Sequence, residues 1–225
     1  MKYLMLFALL VSPISACANW EERIAARVVE STVRVDVGDL GGGSGSIIAP
    51  GNRVLTCAHL FDAPGSTNAV LTVTTLKGAS YRAEIVYRSE QKDLAILQII
   101  GDVKLPALSL APRDSVTLGE RVLLVGHPLG MVWTVTTGIV SAVRRDVGLP
   151  NLYVQTTAVL APGSSGGPLV DRHGRIIGVA ALCRTDYAGF YLAVHLDEIY
   201  AFFNEVTLYE QLNDIFGDVQ KVLLQ

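Results

Sequence analysis

Cysteine is scarce in this chain. Three residues in 225 are too few for the disulfide framework that holds small secreted domains together. Proline, at nine residues, and glycine, at 21, recur with no period, which excludes collagen-like, solenoid and low-complexity architectures. Charge is sparse at 17%, with a net balance of −3, whereas a general nucleic-acid binder shows a basic patch. The apolar run at the N-terminus, Tyr3 to Val11, is nine residues long, and a membrane span needs roughly 20. What is present is apolar content of 50%, enough for a sizeable core and opposed to disorder. The length suits one to two domains, or two small barrels packed as one unit.

The first eighteen residues read as an address. Met1-Lys2 gives a short positive start, Tyr3 to Val11 an apolar stretch of signal-peptide length, and Ser12-Pro13 a break. Two processing patterns then overlap. Ala16-Cys17-Ala18 fits cleavage before Asn19, with residues 1–18 as a plain secretory signal. Ile14-Ser15-Ala16-Cys17 fits a bacterial lipobox, which would place a lipid and membrane attachment on Cys17. An uncleaved anchor is the third reading, and each of the three puts the remaining chain outside the cytoplasm, periplasmic or secreted. With the leader removed, Cys57 and Cys183 would remain, and an oxidising compartment allows them to pair if their Cα atoms come within about 7 Å.

After residues 19–27, with a short helix expected over Glu21 to Val29, alternation takes over. Val33 to Val37 has apolar residues at period two and reads as a half-buried strand. Gly41 to Gly45 reads as a glycine-rich turn. Ser46 to Ala49, Arg53 to Thr56, Val70 to Leu76, Tyr81 to Tyr87 and Leu94 to Ile100 follow as strands, with Pro50-Gly51-Asn52 and Lys77-Gly78 as turns. Residues 101–117 form a connector. A second series comprises Arg121 to Val125, Thr134 to Ser141, Tyr153 to Thr157, Leu169-Val170, Ile176 to Leu182 and Phe190 to Val194. Two series of about six short strands predict an all-β fold of two tandem six-stranded antiparallel barrels, over about 28–110 and 118–195. From Asp197, apolar residues shift to helical spacing, so 197–225 is expected to be a helical tail packed on the barrels.

Three stretches carry chemistry: Thr56-Cys57-Ala58-His59, Asp93-Leu94-Ala95-Ile96-Leu97 and Pro162-Gly163-Ser164-Ser165-Gly166-Gly167-Pro168. A serine hydroxyl is a poor nucleophile near neutral pH and needs a base in hydrogen-bond reach. An imidazole suits, because its pKa lies close to working pH. A carboxylate on the second ring nitrogen fixes the tautomer and stabilises the imidazolium. His59, Asp93 and Ser165 supply these groups. The oxyanion formed on an attacked carbonyl requires converging backbone N–H groups from an unusual turn, and Gly163 permits one. The expected donors are the N–H groups of Gly163 and Ser165. His127, His173 and His195 are not expected to be catalytic; His173 lies in the turn signal Asp171-Arg172-His173-Gly174. Cys57-x-His59 lacks a second pair at ligand spacing, so no metal and no cofactor is expected.

These motifs, in this order, resemble the trypsin-like serine proteases, and within them the HtrA/Deg branch. Gly43-Ser44-Gly45-Ser46-Ile47-Ile48 is similar to that branch's G-S-G-x-I-I strand, and Leu55 to Leu60 to its L-T-x-A-H-V segment. Asp93 to Leu97 resembles D-L-A-x-L, and Gly163 to Gly167 resembles G-N-S-G-G. Gly126-His127-Pro128-Leu129-Gly130 and Val135 to Ser141 resemble G-N-P-x-G and V-T-x-G-I-V-S. The resemblance covers about 28–200 and implies a chymotrypsin-like fold, a cleft between the barrels and polypeptide substrates. Ser164 and His127 each stand where asparagine is usual. Arg27-Val28-Val29-Glu30 does not match the activation site of digestive relatives, and only about 25 residues follow residue 200, so no PDZ module is expected.

The resemblance also assigns Val159, Leu182, Cys183 and Gly189 to the primary specificity pocket. Such a pocket holds no charge and favours a small or medium apolar P1 side chain, since burying an unpaired Lys or Arg there would cost several kcal/mol. The function expected is serine endopeptidase. The alternative is a latent or catalytically silent binding protein on the same scaffold. An esterase of the G-x-S-x-G type is disfavoured, because Ser165 is not in a strand–elbow–helix context.

Overall fold

In a computed structural model, residues 20–145, 151–183 and 191–216 are described, the side chains of Leu182, Cys183 and Phe216 excepted. The expected leader, residues 1–18, lies outside them. The chain begins with helix α1 (Trp20–Glu30) and continues through strands β1 (Thr32–Val37), β2 (Gly42–Ile48), β3 (Arg53–Thr56), β4 (Leu71–Thr74), β5 (Ser80–Ser89) and β6 (Leu94–Ile99). The second series is β7 (Arg121–Gly126), β8 (Thr134–Arg144), β9 (Tyr153–Thr156), β10 (Pro168–Val170), β11 (Ile176–Cys183) and β12 (Tyr191–His195), followed by helix α2 (Leu196–Phe216). Each series closes into a six-stranded antiparallel barrel, in the orders β1-β2-β3-β6-β5-β4 and β10-β11-β12-β9-β8-β7.

Strand periodicity explains the two-barrel arrangement. Side chains alternate between faces along a strand. In β6, Ala95, Leu97 and Ile99 fill the first barrel, while Leu94 and Ile96 face a separate cluster between the barrels. In β7, Val122 and Leu124 fill the second barrel, and Leu123 and Val125 join that same cluster. Both faces are therefore apolar in the strands where the barrels meet, and each large aliphatic side chain buried there stabilises by about 1.5–3 kcal/mol. The connector ties the barrels by backbone hydrogen bonds: Leu108 N–H to Ile47 O at 2.8 Å and Ile176 N–H to Ser109 O at 2.9 Å.

One expected turn is a strand. Gly41 to Gly45 reads as a loop, yet Gly42 onward belongs to β2. The glycines serve close packing instead. A Cβ on Gly45 would lie 2.4 Å from Val54 Cγ1, and one on Gly43 would lie 2.7 Å from the Ser165 carbonyl oxygen.

The tail forms the expected helix as far as Phe216, and residues 217–225 of the expected tail lie outside the described residues. Ile199, Phe202 and Val206 recur at helical spacing and are buried in the inter-barrel cluster. The backbone N–H of Asp197 donates to His195 Nδ1 at 3.0 Å, satisfying one of the free donors at the helix start. Glu198 accepts from Arg145 at 2.8 Å and from the Leu152 N–H at 3.0 Å, and Lys92 lies 3.5 Å away. Although burial opposes it, these three partners hold the Glu198 carboxyl below its ordinary pKa. No helix among the described residues is long and apolar enough to cross a membrane.

Candidate active site

His59 lies in a single 3-10 turn, Ala58–Phe61, directly after β3. Asp93 immediately precedes β6, at a φ of +53°. The pairing of β3 with β6, with Thr56 opposite Ala95, brings these two positions together across 34 residues of sequence. The His59 backbone N–H donates to Asp93 Oδ1 at 2.9 Å, and ring Nδ1 lies 2.8 Å from Oδ2. A carboxylate accepts only, so Nδ1 carries the proton and Nε2 is left as the acceptor. The hydrogen bond to Asp93 raises the His59 pKa above 6.5, against the opposing effect of burial.

Ser165 lies on the turn between β9 and β10. Every carbonyl from Ala161 to Ser165 in this turn has a donor. Ser164 N–H bonds Ala161 O at 2.9 Å, Leu129 N–H bonds Pro162 O at 2.8 Å, Gly167 N–H bonds Ser164 O at 2.9 Å, and Ser44 N–H bonds Ser165 O at 2.7 Å. The Ser44 hydroxyl supplies Gly163 O at 2.8 Å. Gly166 N–H is also engaged, to Ala180 O at 2.7 Å. The N–H groups of Gly163 and Ser165 have no acceptor among the described residues. Gly163 adopts a φ of +97°, and a Cβ there would lie 2.4 Å from the His127 carbonyl oxygen, so both conformation and space require glycine. The Ser165 hydroxyl donates to Ala181 O at 3.4 Å.

The other expected site positions divide. Val159 is half exposed, and its carbonyl accepts from Thr136 Oγ1 at 3.1 Å. Leu182 and Cys183 belong to β11, but their side chains lie outside the described residues, as does Gly189 entirely. Cys57 is a free, fully buried thiol that donates to Ala180 O at 3.1 Å. Burial, and then the adjacent Asp93, push it well above the ordinary thiol pKa. Its sulfur, the His59 ring and the Asp93 carboxylate lie within 4.8 Å of one another. A metal would require the thiolate, and this environment opposes it.

Two residues that the sequence reading did not assign to the site belong to its frame: Ser44 and His127. Ser44 was visible within the glycine-serine motif, but its partner Gly163 is 119 residues away, and no sequence signal links them. A cleft of about 750 Å³ is lined by His59, Asp62, Arg88, Glu90 and Asp93. A second, of about 320 Å³, is lined by Arg34, Asp36, Gly43, His127 and Gly163.

Comparison with known proteins agrees with the two-barrel fold. The trypsin-like peptidase domain matches residues 43–179. Serine protease HTRA1 of Xenopus tropicalis is 37% identical over 72% of this chain and 35% of its own length. Serine protease HTRA3 of Homo sapiens is 37% identical over 74% of this chain and 38% of its own. The chain thus spans little more than a third of these curated relatives. Among solved structures, the HtrA-type protease AlgW with a decapeptide superposes with a TM-score of 0.73 at 25% identity, covering 83% of this chain and 67% of that one. An AlgW variant with a tripeptide gives 0.73 at 28% identity, covering 82% of this chain and 62% of that one. On its sequence and its paired barrels, the chain belongs to the trypsin-like peptidase domain family and stands with the HtrA-type proteases within it.

Proposed function

We propose that this chain is a serine endopeptidase in which His59, Asp93 and Ser165 act as the catalytic triad. The carrying observation is the turn around Ser165, where all carbonyls from Ala161 to Ser165 are engaged and the N–H groups of Gly163 and Ser165 stay free. Such a pair of unspent donors suits a developing oxyanion. In the reaction, His59 Nε2 takes the Ser165 hydroxyl proton as Oγ bonds to the substrate carbonyl carbon. The oxyanion is held by Gly163 and Ser165. Asp93 keeps the Nδ1–H tautomer and stabilises the imidazolium, which then protonates the leaving amine as the C–N bond breaks. Water, activated by the same imidazole, releases the acyl group from Ser165.

Residues 28–200 form the catalytic unit in this reading. Its substrates are polypeptides, with a small or medium apolar P1 side chain set by Val159, Leu182, Cys183 and Gly189. Residues 1–18 are read as the secretory leader, with lipidation of Cys17 as the alternative processing, so the enzyme acts outside the cytoplasm. AlgW has been solved with bound peptides, which supports a peptide-binding cleft here.

A second reading, a latent form or a silent binding scaffold, is favoured by one observation. The Ser165 hydroxyl is directed to Ala181 O, so it must rotate to meet His59. Labelling with a fluorophosphonate, read by intact mass, separates the two. One adduct on the wild type and none on Ser165→Ala supports the peptidase. No adduct on folded protein across pH 6–9, a window around the imidazole pKa of about 6.5, supports the latent or silent form. Peptide-library profiling then tests the apolar P1 preference.

A further inference from the structure

His127 follows β7 and is buried, with 2% of its surface exposed. The hydrogen bonds it makes with Ser44 have only one consistent direction. Ser44 Oγ lies 3.0 Å from the His127 backbone nitrogen, 2.9 Å from His127 Nδ1 and 2.8 Å from Gly163 O. A backbone N–H can only donate and a carbonyl can only accept. The single Ser44 hydroxyl proton therefore goes to Gly163, and Nδ1 must carry a proton and donate to Ser44. His127 Nε2 is left as a buried acceptor without a partner among the described residues. Protonating it would place an N–H where nothing accepts. Burial, followed by the charge of Arg34, lowers the His127 pKa to about 4, so the ring is neutral near neutral pH.

The consequence falls on Gly163. A glycine without Cβ offers little resistance to rotation of the peptide planes on either side of it. Rotation of the Pro162–Gly163 plane would swap a donor N–H for a carbonyl at the oxyanion position. Here both planes are pinned. Leu129 N–H holds Pro162 O at 2.8 Å, and the trans peptide then sends the Gly163 N–H to the opposite side. Ser44 holds Gly163 O. The segment carrying these anchors is itself strained: Leu129 and Trp133 adopt φ of +52° and +53°, unusual for bulky residues. Trp133 is fastened by its indole N–H to Thr32 O at 3.1 Å and packs edge-on against the His127 ring, with centroids 4.9 Å apart. Strain at such a segment persists where its surroundings over-determine it.

We propose that Ser44 and His127 are positioning residues for the Ser165 turn: His127 orients the Ser44 hydroxyl, which fixes the Gly163–Ser164 peptide plane, the plane that lies between the two free N–H groups and sets their direction relative to one another. The inference rests on the peptidase reading above. It assigns His127 a purpose at a position where the HtrA branch usually has asparagine. Asparagine Nδ2 and histidine Nδ1 are both bonded to Cγ, so each can present an N–H to Ser44.

The test compares wild type, Ser44→Ala, His127→Leu and His127→Asn on a cleaved peptide. Each variant is also titrated with a peptide boronate, which mimics the tetrahedral adduct. Misplacing a transition-state donor by about 1 Å costs roughly 100-fold. Ser44→Ala and His127→Leu are expected to lower kcat by about that factor, with KM little changed and boronate affinity lowered in parallel. His127→Asn is expected to recover most of the loss. Thermal melts accompany each variant, and if His127→Leu does not fold, Ser44→Ala and His127→Asn carry the comparison. Wild-type kcat in Ser44→Ala would overturn the inference. So would a His127→Asn enzyme as impaired as His127→Leu, since ring packing rather than the hydrogen bond would then matter. A wild type that neither cleaves peptide nor reacts with fluorophosphonate would overturn the peptidase reading itself, a result distinct from either of these.

Discussion

Asp93 holds His59 twice, through the backbone N–H at 2.9 Å and through ring Nδ1 at 2.8 Å. One carboxylate thereby sets both the position of the residue and the tautomer of its ring. The hold costs Asp93 a left-handed backbone at φ +53°, a conformation that Asp tolerates better than most residues.

Asp93→Asn is expected to lower kcat by about 10⁴-fold, because an amide can favour the wrong tautomer. The pH profile supplies an independent check. Asp93 raises the His59 pKa above 6.5, and the proposed mechanism needs the neutral ring. Wild-type kcat/KM should therefore fall on the acid side through a pKa above 6.5, and Asn should move that limb downward. Stability runs the other way. The pair's contribution is fully present below the unfolded value near 6.5 and fades as pH rises through the higher folded value.

Gly166→Ala is expected to destabilise the fold by at least about 2 kcal/mol. Gly166 has a φ of +87°, and its added Cβ would lie 2.0 Å from Ser44 O and 2.2 Å from Thr56 Oγ1. Urea denaturation should show a lower midpoint. An unchanged midpoint would mean that the barrels yield at this contact.

The neutral, buried His127 makes acid stability a measurable quantity. Its pKa is about 4 in the fold against about 6.5 unfolded. The unfolded chain therefore binds the proton first as pH falls. Stability should be intact above 6.5, decline between 6.5 and 4, and level off below, a loss on the order of 3 kcal/mol from this group. His127→Asn should flatten that decline in denaturation curves taken at stepped pH.

Phe202→Ala is expected to cost about 3–5 kcal/mol. Phe202 is fully buried between the barrels and its ring lies 5.7 Å from that of Tyr87. Calorimetry should show a marked fall in Tm. A small change would mean that α2 adheres loosely and that the barrels stand without it.

Much of the fold is visible in the sequence because strand and helix periods are local properties. Val33, Val35 and Val37 alternate into the first barrel. The turn Asp171 to Gly174 closes as expected, with Gly174 N–H on Asp171 O at 2.9 Å. Leu196, Ile199, Tyr200, Phe203 and Val206 announce a helix by their spacing, and Ile199 and Val206, with Phe202, are buried on the barrels. The glycines of β2 mislead, since a glycine that makes room for a neighbour looks in sequence like a glycine that makes a turn. Only the approach of Val54 and Ser165 tells them apart.

The sequence by itself determined the strand count, the closing helix and the three chemical groups at His59, Asp93 and Ser165, because these rest on short-range patterns and on motifs a few residues long. Tertiary structure decided which contacts those groups make. The pairing of β3 with β6 seats Asp93 under His59, and the approach of β2 to the Ser165 turn lets Ser44 reach Gly163 across 119 residues. The conformation of Gly163 is likewise decided there, since a residue without a side chain takes its shape from whatever holds its two peptide planes.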